Sequence, residues 1–240
     1  MSIWFALTWL VSINVLAFVL LKSRPMIIKS IIITISLVLV IYKTTEYVLQ
    51  IASGNLSKIP VEFSAVTYIL FGLTFLFSIK ALKPFVTFAA FLSGFGYLIV
   101  FPFISDFLVT TNGFETTLVA LVSHSLLYLG SLLVMKLELL PASTRKLIMI
   151  WTLLVVIYQI GMGFIIQFEN EFLFIYIVLE GKAIIGLQEA LPGIAVIIYI
   201  IYFIGIWTIY FFLASLFYLI SQKIYHRYSI KELHQIKSTK

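Results

Sequence analysis

Four side chains that can carry charge lie inside or at the edge of long apolar stretches: Lys43, Glu46, Glu62 and His124. An ionisable group in hydrocarbon costs about 2.5–3.5 kcal/mol on insertion scales, so such groups pair or line a cavity. The chemistry they offer is proton transfer and the binding of polar or charged substrate groups. His124 has the residue type of a general base and stands between Ser123 and Ser125, on the same helical face as Tyr128. Lys43 and Glu46 are three residues apart, close enough on a helix to neutralise each other or to act together on a substrate. Glu62 follows Pro60 at a helix start, where the dipole favours a carboxylate and a capping role competes with a binding one. Gln159 and Asn14 are neutral polar companions. Such residues serve as stitches between helices as well as ligands.

The elements that carry these groups are set by composition. Of 240 residues, 62% are hydrophobic and 11% charged, and the mean hydropathy is +1.14. Charged residues at that density cannot clothe a soluble globule, in which about a quarter of residues are charged. The solvent is therefore a bilayer. Seven stretches approach the roughly 20 apolar residues needed to span one: Ile3–Leu21, Ile27–Ser53, Pro60–Ile79, Phe85–Phe103, Thr116–Met135, Leu147–Phe168 and Gly193–Ile220. Continuous apolar runs favour helices over an alternating barrel pattern. The fold class read from sequence is all-α, a polytopic membrane protein with seven transmembrane helices. A transmembrane domain over 1–220 is followed by a basic tail over 221–240. That tail reads either as an amphipathic helix on an anionic leaflet or as a hydrophilic end that obeys the charge rule.

Thirteen of the sixteen Lys and Arg residues fall in alternate connections and the tail, whereas Asp106, Glu115, Glu169, Glu171, Glu180 and Glu189 fall in the others. Lys and Arg accumulate on the cytoplasmic side, which predicts an N-out, C-in protein of the cell membrane. The first segment has no basic region before its apolar run and so does not read as a signal peptide. A net charge of +6 is used by topology, which excludes nucleic acid as a partner. Cysteine is absent, and two of the three histidines, His226 and His234, sit in the tail. No metal site and no cofactor is expected.

A rise of about 1.5 Å per residue places Lys43 roughly 15 Å, His124 roughly 12 Å, Gln159 roughly 14 Å and Glu46 roughly 10 Å below the outer edge. Three non-adjacent spans thus present polar groups in one layer, the pattern of a shared cavity. Gly94, Gly96, Gly161 and Gly163 are expected to permit close helix packing.

Several local patterns run from the third span onward: Pro60-Val61-Glu62-Phe63-Ser64, His124 in span 5, the stretch from Asn170 to Phe174, then Leu191-Pro192 and Tyr199. Together these resemble the YwaF-like bacterial integral membrane proteins, which are distantly similar to a eukaryotic seven-span transmembrane acyltransferase family acting on phospholipid chains. The resemblance implies acyl-lipid chemistry. His124 would be the base, Ser64 would stand at the family's cysteine, Glu62 at its histidine, and Lys43 or Gln159 would steady oxyanion charge. A cysteine acyl-enzyme is impossible here. Ser64 lies roughly 6 Å deep, so reaching His124 requires a tilted or bent helix start, and Ser64 also reads as a small packing residue. The other functional readings are a transporter or substrate-binding protein that uses Lys43, Glu46 and His124, and an accessory subunit without chemistry. The expected partners are the bilayer and a phospholipid or other acyl-lipid substrate.

Overall fold

The computed structural model describes residues 3–54, 60–166 and 184–238, with side chains described to Met162 and from Gly186 to Tyr228 in the last two stretches. Lys58, Glu169, Glu171, Glu180, Lys182 and the stretch from Asn170 to Phe174 lie outside them, as do the surroundings of Gly163 and the side chains of Leu233, His234 and Ile236. Among the described residues every regular element is a helix: α1 (Ile3–Leu20), α2 (Pro25–Ala52), α3 (Phe63–Leu76), α4 (Lys83–Asn112), α5 (Phe114–Leu137), α6 (Thr144–Ile166), a short α7 (Ile185–Ala190), a 3-10 turn (Pro192–Ile194) and α8 (Ala195–Ser238). In lipid a helix satisfies its own backbone polar groups, which is why a chain this apolar folds in this way.

Among the described residues six helices are long and apolar enough to cross a membrane. The chain is thus a multi-pass helical membrane protein. The third expected span, Pro60–Ile79, contains a helix of only 14 residues, about 21 Å long against a hydrocarbon core of about 30 Å. Its ends explain the shortening. Pro60 and Val61 precede the helix, with Val61 fully buried. At the other end Ser78 adopts a left-handed φ of 54°, and Ile79 N–H donates to Thr74 O at 2.9 Å. That bond closes the helix as a Schellman cap with serine where glycine is usual.

Other boundaries run longer than composition predicts. α4 passes through the buried Pro102 and continues to Asn112, where Gly113 at φ 83° turns the chain directly into α5. α8 is 44 residues long, and no break separates its apolar part from the tail at residue 220.

α5 is the axis of the bundle. It packs against α1, α2, α4 and α8, and Leu121, Leu127, Leu133 and Met135 are almost wholly buried on it. Lipid tails are as apolar as leucine, so close packing holds such a core together. A Cβ on Gly94 of α4 would meet His124 O and Tyr128 N of α5 at 2.6 Å. One on Gly72 of α3 would meet Val40 Cγ2 of α2, and one on Gly130 would meet the Phe71 ring. Gly94 therefore does what its sequence context predicted. Gly96 and Gly161 do not, since nothing lies within 4 Å of a Cβ at either.

The connections sort into two ends. At one end Lys136 donates to Ser23 O, Lys83 pairs with Glu138, Trp151 donates to Ala81 O, and Gln222 donates to Leu140 O. Arg145 faces the Tyr218 ring there. At the other end Tyr158 and Gln159 of α6 meet the chain at Pro60 and Val61.

Candidate functional site

α2 carries Lys43 and Glu46 on one helical face, and their spacing brings Nζ to 2.8 Å from Glu46 Oε2. The Lys43 side chain is 8% exposed and that of Glu46 30%, so the pair sits with its cation inward. Lys43 Nζ also lies 5.0 Å from the centroid of Tyr68 and 5.4 Å from that of Tyr42. A cation over a ring face is attracted by the ring quadrupole, more strongly when desolvated. Aromatic walls thus replace the water that a lone ammonium would need.

Tyr68, on α3, connects this pair to His124. Its ring is edge-on to the imidazole with centroids 5.5 Å apart. Tyr97 of α4 stacks on His124, with centroids 4.0 Å apart and planes 7° from parallel. The Ser93 backbone hydrogen-bonds to the imidazole, while Nδ1 is buried without a hydrogen-bond partner. Four helices therefore converge here: α2 supplies the ion pair, α3 and α4 the rings, and α5 the histidine. Glu62 is exposed at the N-cap position of α3, without a side-chain cap bond.

The other predicted residues are placed differently. Gln159 is fully buried on α6, and its Nε2 donates to Val61 O at 2.7 Å. That bond fixes the non-helical lead into α3, which leaves Oε1 as a buried acceptor without a partner. Gln159 is thus turned to the chain before α3. Ser64 is half-buried in the first turn of α3. Among the described residues no hydrogen bond joins it to His124. Asn14 stitches helices, accepting from Tyr128 OH at 2.9 Å and donating to Leu10 O. Tyr128, which shares a face with His124, is thereby used against α1, where Trp9 Nε1 also donates to Ser125 Oγ. Sequence reasoning missed Tyr68 and Tyr97, because a tyrosine in an aromatic-rich apolar run looks like ordinary core.

Chemically the arrangement offers a buried acceptor nitrogen, an adjacent internally neutralised ion pair and two phenols. Among the described residues no group of three or more His, Asp or Glu is placed to hold a metal ion. No family model, curated protein or solved structure matches the chain.

Proposed function

We propose that this is a cell-membrane protein of seven spans whose working site is the layer around His124, where the hydroxyl-bearing end of a membrane amphiphile binds from the outer leaflet. The single observation that carries the site is the buried, unpartnered Nδ1 of His124. Buried polar atoms nearly always have partners, and leaving one bare costs about 1–3 kcal/mol. A ligand hydroxyl donating to that nitrogen removes the penalty, and the Lys43–Glu46 pair beside it presents polarity without net charge. Photoactivatable diacylglycerol in vesicles tests this against His124→Phe, which keeps a stacking ring and deletes the acceptor. Labelling near Tyr68 and Tyr97 should fall about tenfold. Equal labelling of wild type and variant overturns the proposal.

The same nitrogen favours a second reading, acyl transfer. An imidazole held through one nitrogen by the Ser93 backbone, with the other nitrogen unpartnered, is arranged as a general base. His124 would take the proton of the bound hydroxyl as its oxygen attacks a phospholipid ester carbonyl. That proton would then return to the departing alkoxide, so that one ester forms and one breaks. The resemblance to YwaF-like proteins points the same way. Labelled phospholipid turnover by wild type, His124→Ala and Ser64→Ala separates the roles: loss in the first variant alone assigns the base. Equal turnover in all three removes the acyl reading. A transporter would instead show flux in reconstituted vesicles that Glu46→Gln abolishes.

The span count rests on α3 completing a crossing despite its length, held by Gln159 at one end and meeting the basic end at the other. The orientation, with the Ile3 end outside, rests on the basic residues gathered at a single end of the bundle. Because the chain has no cysteine, single reporters at Ser53 or Gly113 and at Ser23 or Ala142 read the topology directly. An impermeant maleimide should reach only the first two from outside.

A further inference from the structure

At the basic end, remote from His124, a cavity of about 430 Å³ opens among the first turns of α2, the end of α3, the start of α4 and the end of α5. Its rim is polar: Lys29, Lys83, Glu138 and Ser78. Its wall is apolar, formed by residues such as Ile33, Phe75 and Leu137. The charges on the rim do not cancel. Lys83 is committed to Glu138, whereas exposed Lys29 has no ion-pair partner among the described residues. A surplus cation over an apolar wall is complementary to an anion attached to hydrocarbon. The size matches that attachment, because small-molecule sites run from about 300 to 1,000 Å³, enough for a glycerophosphate group but not for two acyl chains. Those chains have a track outside: Ile33, Leu37 and Ile41 recur at helical spacing along α2 and are 47%, 43% and 63% exposed, and Ile33 itself belongs to the cavity wall.

We propose that this cavity binds the phosphodiester of an anionic phospholipid from the adjoining leaflet, with Lys29 as its principal cation and the acyl chains lying along α2. Basic pockets between spans on the cytoplasmic side are suited to lipid headgroups. The charge excess selects an anionic lipid over phosphatidylcholine, whose own ammonium brings a cation that the rim already has. Lys83 positions the site through Glu138, while Ser78, in its left-handed turn, brings its hydroxyl-bearing residue to the rim.

The full chain, purified from phosphatidylcholine vesicles doped with phosphatidylglycerol, tests this by native mass spectrometry and thermal melting. Wild type should retain phosphatidylglycerol in preference to phosphatidylcholine and melt higher with it. Lys29→Glu should lower that retention about tenfold, with Lys29→Arg restoring it and the helical circular dichroism signal unchanged in both. Lys22→Glu, at the same end but outside the cavity, should retain phosphatidylglycerol as wild type does. Equal retention of the two lipids, or equal losses in Lys22→Glu and Lys29→Glu, overturns the proposal. Melting raised equally by inorganic phosphate or glycerol 3-phosphate at matched concentration would overturn it too, by assigning the site to a soluble anion.

Discussion

Tyr97 of α4 lies face to face with His124 of α5, the ring centroids 4.0 Å apart. The buried imidazole is therefore held flat against one ring and meets the edge of another, Tyr68. Its orientation is fixed from α4, since Tyr97 covers one face and the Ser93 backbone holds the edge. Aromatic pairs contribute about 0.5–1.5 kcal/mol beyond their buried area. A double-mutant cycle with Tyr97→Leu and His124→Leu, read by thermal or denaturant unfolding in detergent, should return a coupling of that size. Additive losses would show that the stack does not hold the ring.

The ion pair on α2 should behave non-additively. Removing one partner of a buried pair leaves the other uncompensated, at a cost of about 3–5 kcal/mol, whereas replacing both with apolar groups is often neutral or stabilising. Glu46 is partly exposed, so Lys43→Met should fall below that range while remaining clearly destabilising. Adding Glu46→Leu should recover most of the loss, as measured by unfolding in mixed micelles. Equal destabilisation by the single and double variants would argue against a structural pair.

Gly94 and Gly96 make a matched comparison two residues apart on α4. A methyl group at Gly94 would meet α5 backbone at 2.6 Å, whereas one at Gly96 meets nothing within 4 Å. Gly94→Ala must push two helices apart and should cost about 1–3 kcal/mol. Gly96→Ala should be neutral, or stabilising by up to about 1 kcal/mol from helix propensity. Melting temperatures of the two variants measured side by side check the difference in sign.

Ser78 sits at a position where a side chain is a burden. A left-handed conformation costs an L-residue roughly 1–2 kcal/mol, a penalty that glycine escapes. Ser78→Gly should therefore raise the melting temperature, by less than the full penalty because glycine also loses more entropy on folding. A lower melting temperature would mean that the hydroxyl supports the turn.

Gln159→Leu tests the other end of α3. It removes the donor to Val61 O and leaves that carbonyl buried and bare, at a cost of about 1–3 kcal/mol. Faster protease cleavage near Pro60 in the variant would locate the damage at the lead into α3. An unchanged cleavage rate would show that the lead is held by other contacts.

Much of this was legible in one dimension. Apolar run length fixed the helices that reach across a bilayer, and the i, i+3 spacing placed Lys43 against Glu46. Depth counting put Lys43 and His124 in one layer, and Tyr68 now joins them. It failed for Gln159, because depth along a span says nothing about which way a side chain faces. Tyr97 was hidden for another reason: a ring that orients a histidine is chemically the same residue as one that fills core. The length of α3 was hidden as well. Hydropathy counts apolar residues whether or not they are helical, and Pro60, Val61 and Ile79 are apolar without being helical.

The unbroken course of α8 has a mechanical consequence. Within it Tyr210 hydrogen-bonds to Thr152, Phe217 packs on Phe88, and Gln222 reaches Leu140. Backbone helix then continues to Ser238. A rod of 44 residues, about 66 Å long, has no hinge at which its far end can move alone. A torque applied to the tail is therefore carried as a tilt or rotation of the whole rod, and it reaches α4 through Phe88. The tail is a handle on the bundle.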